Sequence, residues 1–184
     1  MASVFFFSQL VLVLAVARLA DVALSRTNST WALARGAREY DRARYPLLPA
    51  LWVGLYAGTL IEVWWFDAEF HPALGAVLIA MALASEAVRW WAIVSLGSSW
   101  TQRIVVAPHH TLIDRGPYRL LRHPADLAGA VFGLALPLAH SAWVTALCFT
   151  IGYGVLMWQR VRLEEVILGH RHEALPAVPE IKSA

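Results

Sequence analysis

Arginines, carboxylates and histidines gather at a few places in this chain, and each group lies where a long apolar run begins or ends. Arg160 and Glu164 stand four residues apart, and Arg162 and Glu165 three apart, at the close of the last run; Arg122-His123-Pro124 opens the run before it. Pro124 biases His123 away from helical geometry and suits the first turn of a helix. Arg122 and His123 therefore mark a helix entrance, where free backbone N–H groups and a positive dipole end favour an anionic ligand group. A plainer role exists for juxtamembrane arginines, which often only face lipid phosphates, and it is preferred for Arg115 and Arg119. Inside the runs, Arg18/Asp21 and Glu86/Arg89 are spaced at i,i+3. Ionisable residues in a spanning helix mark function or a buried pair, but each of these pairs can equally neutralise itself on a helix surface. The charges at the end of the last run can do the same. Glu62 is the exception, toward the opposite end of its run.

Composition says what kind of element must position these groups. Of 184 residues, 59% are hydrophobic and only 15% charged, against about a quarter charged in soluble domains, and the mean hydropathy is +0.55. The solvent is lipid. A net charge of +2 carried in short arginine clusters between apolar runs fits a membrane protein and argues against nucleic-acid binding. A bilayer core needs about 20 apolar helical residues, and five stretches qualify, at about 3–24, 46–66, 72–95, 125–139 and 142–163. Lipid cannot satisfy backbone polar groups and no alternating pattern suggests a barrel, so the expected fold is all-α, a single membrane domain with about five transmembrane helices. The first stretch lacks a basic leader and is expected to remain as the first helix. The fourth, closed by Pro137 and His140-Ser141, pairs with the fifth as a tight hairpin. Arginines crowd the connections 25–45 and 96–124, and none lies at 67–71 or 140–141. The positive-inside rule then puts the N-terminus outside and the C-terminus in the cytoplasm.

Other signals are negative or structural. The single cysteine, Cys148, has no partner for a disulfide and lies in an apolar run. No G-x-G-x-x-G follows a strand-like segment. His109, His110, His123, His170 and His172 include no H-E-x-x-H, so no metal site is expected. The tryptophans suit interfacial belts, and Gly54-x-x-x-Gly58 suits helix packing.

The run Gly116-Pro117-Tyr118-x-x-x-Arg122-His123-Pro124, followed one hairpin later by Arg160-x-x-x-Glu164-Glu165-x-x-Leu168, resembles the isoprenylcysteine carboxyl methyltransferase family of integral membrane methyltransferases. Arg18-Leu19-x-Asp21-x-x-x-Ser25-Arg26-x-Asn28, Gly36-Ala37-x-Glu39 and Tyr45-Pro46 look like the bacterial branch associated with O-methylation of alkylpyrones and alkylresorcinols. The resemblance implies a site for S-adenosyl-L-methionine built from the loop at about 103–124, the start of the fourth helix and the end of the fifth, with a lipid-side opening for a lipophilic acceptor. By position in the motifs, His110, Leu112, Gly116, Tyr118, His123 and Glu165 would bind the cofactor, and Arg122, Arg160 and Glu164 would act on the acceptor. The chain departs from the family after Arg-His-Pro, where Ala125-Asp126 stands in place of a small residue followed by Tyr. The implied activity is O-methylation of a carboxylate, enol or phenol at the inner face of a bacterial cytoplasmic membrane, with membrane lipids as surroundings. A nicotinamide-dependent membrane reductase and a non-catalytic membrane scaffold or lipid-binding protein remain alternatives.

Overall fold

The computed structural model describes residues 1–40, 46–66, 70–106 and 115–174, with the side chains of 104, 106 and 164–174 outside the described set. Five helices carry the chain: α1 (Ala2–Leu33), α2 (Leu47–Trp65), α3 (Pro72–Leu96), α4 (Pro124–Leu138) and α5 (Trp143–Ala174). Short 3-10 turns lie at Gly97–Ser99 and Gly116–Arg119. Each helix falls on one of the five apolar stretches, and the fold is all-α. Among the described residues, three helices are long and apolar enough to cross a membrane, namely α1, α2 and α3 continued to Ser99. At 15 residues, α4 reaches only about 22 Å, short of a bilayer core of about 30 Å. Val13, Val16 and Leu19 of α1, Val53 of α2 and Leu147 of α5 point outward and exposed, as does Cys148, a surface suited to lipid rather than water.

The first helix overruns its apolar stretch by more than two turns. Its polar continuation stays helical because its hydroxyls bond back to the preceding turn: Thr27 to Ala23 O (3.1 Å), Ser29 to Ser25 O (2.7 Å) and Thr30 to Arg26 O (2.9 Å). Its buried face grips the chain that follows α3. Asn28 Nδ2 donates to Gly97 O (3.1 Å) and Trp100 O (2.8 Å), and Ser25 Oγ accepts from the Gln102 backbone N–H (2.8 Å). Beyond α1, β1 (Arg38–Tyr40) pairs antiparallel with β2 (Ile104–Val106), Arg38 opposite Val106, and Arg103 Nη1 meets Glu39 Oε1 at 3.0 Å. No strand is expected from the sequence here, so this clasp is an addition to the all-helical picture. It ties the end of α1 to the connection that leads from α3 toward α4.

The core is aromatic. Trp52 of α2 lies within 5.0–5.9 Å, ring to ring, of Phe132 of α4 and of Phe149 and Tyr153 of α5, and α4 packs between α3 and α5. Gly58 lies against Thr145, while Gly54 of the same spaced pair meets nothing. Glu62, near the end of α2, caps α5: its carboxylate accepts from the backbone N–H of Val144 (2.9 Å) and Thr145 (2.8 Å) and from Thr145 Oγ1 (2.8 Å). A carboxylate at a helix N-terminus is favoured by both the free N–H groups and the dipole. Glu62→Gln should therefore cost roughly 1.5–3 kcal/mol, the range for hydrogen bonds to a charged group, seen as a lower midpoint of thermal unfolding in detergent. An unchanged midpoint would show that this cap contributes nothing.

Candidate functional site

Between the clasp and α4 the chain makes its closest approach to α3. Gly116 has φ +58°, and a Cβ there would fall 2.2 Å from Ser95 Oγ and 3.2 Å from Trp91 Nε1. Only glycine combines that backbone geometry with that proximity at low cost. The turn it starts buries Pro117 and brings Tyr118, half-buried, toward the entrance of α4. Burial pushes the Tyr118 phenol up to about 12; the Asp126 carboxylate adds to the rise and Arg160 opposes it. Tyr118, Asp126 and Arg160, from the turn, α4 and α5, thus share one electrostatic neighbourhood.

At the entrance of α4, His123 stands at the N-cap, extended rather than helical, with Pro124 at the first helical position and no side-chain cap on the free N–H groups. Its imidazole is 41% exposed and lies 3.8 Å from Asp126 Oδ2, close but beyond hydrogen-bond length. Arg122 is exposed beside it. Asp126 occupies the first turn of α4, while an aromatic wall at this level comes from α5. Tyr153 stacks on Phe149 (5.3 Å), donates its hydroxyl to Asp126 O (3.1 Å), and lies so close to Gly129 that a Cβ there would sit 2.5 Å from that hydroxyl.

The structure decides between the two readings of the charged pairs. Arg18/Asp21 and Glu86/Arg89 do not neutralise themselves separately on helix surfaces; they are buried between α1 and α3 as one network. Arg18 Nη1 donates to Asp21 Oδ2 (3.2 Å), Arg18 Nη2 to Glu86 Oε2 (3.1 Å), and Arg89 Nε to Glu86 Oε2 (3.3 Å). Arg89 Nη2 closes the ring on Asp21 Oδ2. The Arg18 guanidinium lies 3.9 Å above the Trp52 ring, and its Nε reaches the Tyr56 hydroxyl at 3.5 Å. The i,i+3 spacing is right within each helix, but only the fold reveals that Arg18 and Asp21 of α1 reach Glu86 and Arg89 of α3 through their side chains. The network and the α4 entrance meet near Tyr153, which donates to Asp126 O (3.1 Å) and whose ring lies 5.9 Å from Trp52, the ring that Arg18 covers. Tyr153, Trp52 and Tyr56 gave no signal in the sequence beyond being aromatics in apolar runs.

Of the residues singled out from the sequence, Gly116, Tyr118, Arg122 and His123 lie together from the Gly116 turn to the α4 entrance, and Arg160 reaches the same neighbourhood from α5. Glu164 and Glu165 continue α5 by one turn, with side chains outside the described set. His110 and Leu112 lie outside the described residues.

The model of the isoprenylcysteine carboxyl methyltransferase family matches residues 77–170, slightly more than half of the chain, from α3 into the end of α5. An uncharacterized protein of Bacillus subtilis, YpbQ, is 31% identical over 86% of this chain and 94% of its own. Protein-S-isoprenylcysteine O-methyltransferase A of Arabidopsis thaliana is 29% identical over 49% of this chain and 47% of its own. No solved structure matches. The stretch matched by the family model carries Glu86, Arg89, the Gly116 turn, the α4 entrance and Arg160, and the chain accordingly belongs to the isoprenylcysteine carboxyl methyltransferase family of membrane methyltransferases.

Proposed function

We propose that this protein is an S-adenosylmethionine-dependent O-methyltransferase acting on a lipophilic acceptor at the cytoplasmic face of a bacterial membrane. The chain would cross that membrane five times, with its N-terminus outside and its C-terminus in the cytoplasm. The observation that carries the reading is the convergence at Tyr153: an uncapped helix entrance with Tyr118, Asp126 and Arg160 on one side, and two buried arginines on the other. Orientation rests on Arg26, Arg35, Arg38, Arg103, Arg115, Arg119 and Arg122, all at the end of the bundle that holds the clasp and the α4 entrance. The family relationship supports methyl transfer, and the name of the Arabidopsis relative supports oxygen as the methylated atom.

The residues present fit the cofactor. Its carboxylate suits the free N–H groups at the start of α4. Its amino group suits a carboxylate, from Asp126 or from Glu164 and Glu165 on the adjoining turn of α5, and its adenine suits the face of Tyr118. When bound, S-adenosylmethionine supplies a methyl on a sulfonium, and the S–C pair stays with sulfur as a lone pair on the acceptor oxygen forms the new O–C bond. The protein's own contribution is positional and electrostatic. Arg160, with Arg122 at the entrance, would orient an ionised acceptor oxygen, an ordering that can be worth roughly 7–11 kcal/mol in well-placed cases. The apolar helices around the site exclude water, which strengthens each charge contact inside it. A carboxylate acceptor brings no proton to remove; a phenol would need a base, for which Glu164 is placed on α5.

Calorimetric titration of the detergent-purified protein with S-adenosylhomocysteine tests the reading. Saturable binding near one equivalent is expected, unaffected by a chelator. Absence of binding to folded, monodisperse protein would reject it.

A further inference from the structure

Arg18, Asp21, Glu86 and Arg89 form a closed ring of charge in which each acid bridges the same two guanidiniums. The two acids are not equivalent. The Asp21 side chain is wholly covered, at 0% exposure, while that of Glu86 is 13% exposed. Glu86 is thus the member on the accessible side of the ring. The Arg18 guanidinium lies 3.9 Å over the Trp52 ring, and its Nε reaches the Tyr56 hydroxyl at 3.5 Å, two contacts beside the ring of charge that restrict its fork. The ring is linked to the α4 entrance through aromatics: Arg18 lies 3.9 Å over Trp52, whose ring is 5.9 Å from that of Tyr153, and Tyr153 donates its hydroxyl to Asp126 O (3.1 Å).

We propose that Glu86 is an internal stand-in for the substrate's anion: an acceptor bearing a carboxylate or enolate on an apolar chain displaces Glu86 and is held by Arg18 and Arg89. Asp21 is a positioning residue that keeps both guanidiniums in place and leaves the pair with one uncompensated positive charge for the incoming anion. Planar two-oxygen anions match the guanidinium fork, which a lysine cannot reproduce. Arg18 and Asp21 lie on α1, outside the stretch that the family model matches, so the first helix supplies half of the head-group site. The inference rests on the methyltransferase reading: Arg18 and Arg89 would hold the acceptor's anionic group, while Arg160 and Arg122 orient the oxygen that takes the methyl.

The test uses laurate and dodecanol as probes, titrated into the protein in a nonionic detergent beside S-adenosylhomocysteine. The parent is expected to bind laurate in preference to dodecanol. Glu86→Gln removes the internal competitor and should bind laurate about tenfold more tightly, while Arg18→Gln should bind it at least about tenfold more weakly, on the scale of one charge-assisted hydrogen bond. Should Arg18→Gln not purify, Arg18→Lys keeps the charge, loses the fork, and should show the same weakening. Laurate affinity unchanged or reduced in Glu86→Gln, with S-adenosylhomocysteine still bound, overturns the stand-in and leaves the methyltransferase reading intact. Loss of S-adenosylhomocysteine binding in the parent rejects that reading, and this inference with it.

Discussion

Asp21→Asn is expected to destabilise the protein by about 3–5 kcal/mol, the cost of leaving a buried charge without its partner. Asparagine preserves the shape of the side chain, yet Arg18 and Arg89, 5% and 6% exposed, would then share Glu86 alone. Glu86→Gln should cost less, because a solvent-facing route to screening remains at that corner of the ring. Combining Asp21→Asn with Arg89→Met restores charge balance and should recover part of the loss, a coupling that a double-mutant cycle reads directly. The measurement is thermal unfolding in detergent together with yield from the membrane. An Asp21→Asn protein as stable as the parent would mean that the four charges do not act as one buried unit.

The cofactor half of the site predicts a separate pattern. His123→Ala and Glu165→Gln should each weaken S-adenosylhomocysteine by roughly one to two decades, since a charge-assisted hydrogen bond in a water-poor site is worth about 1.5–3 kcal/mol. His123 is exposed at the α4 entrance, away from the aromatic core and the buried ring, and both variants are expected to insert and purify normally. Asp126→Tyr is the contrast. Tyr153 holds the backbone carbonyl of Asp126 rather than its side chain, so the local fold should survive; cofactor binding should persist while acceptor preference shifts. Parent-like affinity in the first two variants, with binding lost only in Asp126→Tyr, would place the cofactor elsewhere.

The five helices were legible because about 20 apolar residues in succession leave little else for the chain to do in lipid. The overrun of α1 was not, because Ser25 to Thr30 read as polar connection; their helical state depends on hydroxyls bonding back along the helix and on Asn28 gripping the carbonyls of Gly97 and Trp100. Three-residue strands such as β1 and β2 carry no periodic signal, and only their register across the bundle end defines them. The motif around Arg122-His123-Pro124 located the α4 entrance correctly, since proline and glycine impose local geometry whatever surrounds them. The buried ring was half visible: the spacing of Arg18 with Asp21 and of Glu86 with Arg89 was plain, but which helix faces which is a tertiary fact. Glu62 illustrates the same limit, for a lone carboxylate becomes a cap only when the start of α5 is set beside the end of α2. Tyr153 could not be told from its aromatic neighbours until its hydroxyl was seen between Asp126 and the arginines.

The central claim is methyl transfer to a lipophilic oxygen, and its most direct test is incorporation of label from S-adenosylmethionine carrying a labelled methyl group. The purified protein, reconstituted with a total lipid extract from a bacterium, would be incubated with the labelled donor and the products separated by chain-length and head-group chemistry. The account predicts label in an apolar product, released by base if the acceptor is a carboxylate and stable to base if it is a phenol ether, and lost in the Arg160→Gln variant. Folded protein that binds S-adenosylhomocysteine yet places no label in any lipid fraction, or labels lipid equally well with Arg160→Gln, would contradict it.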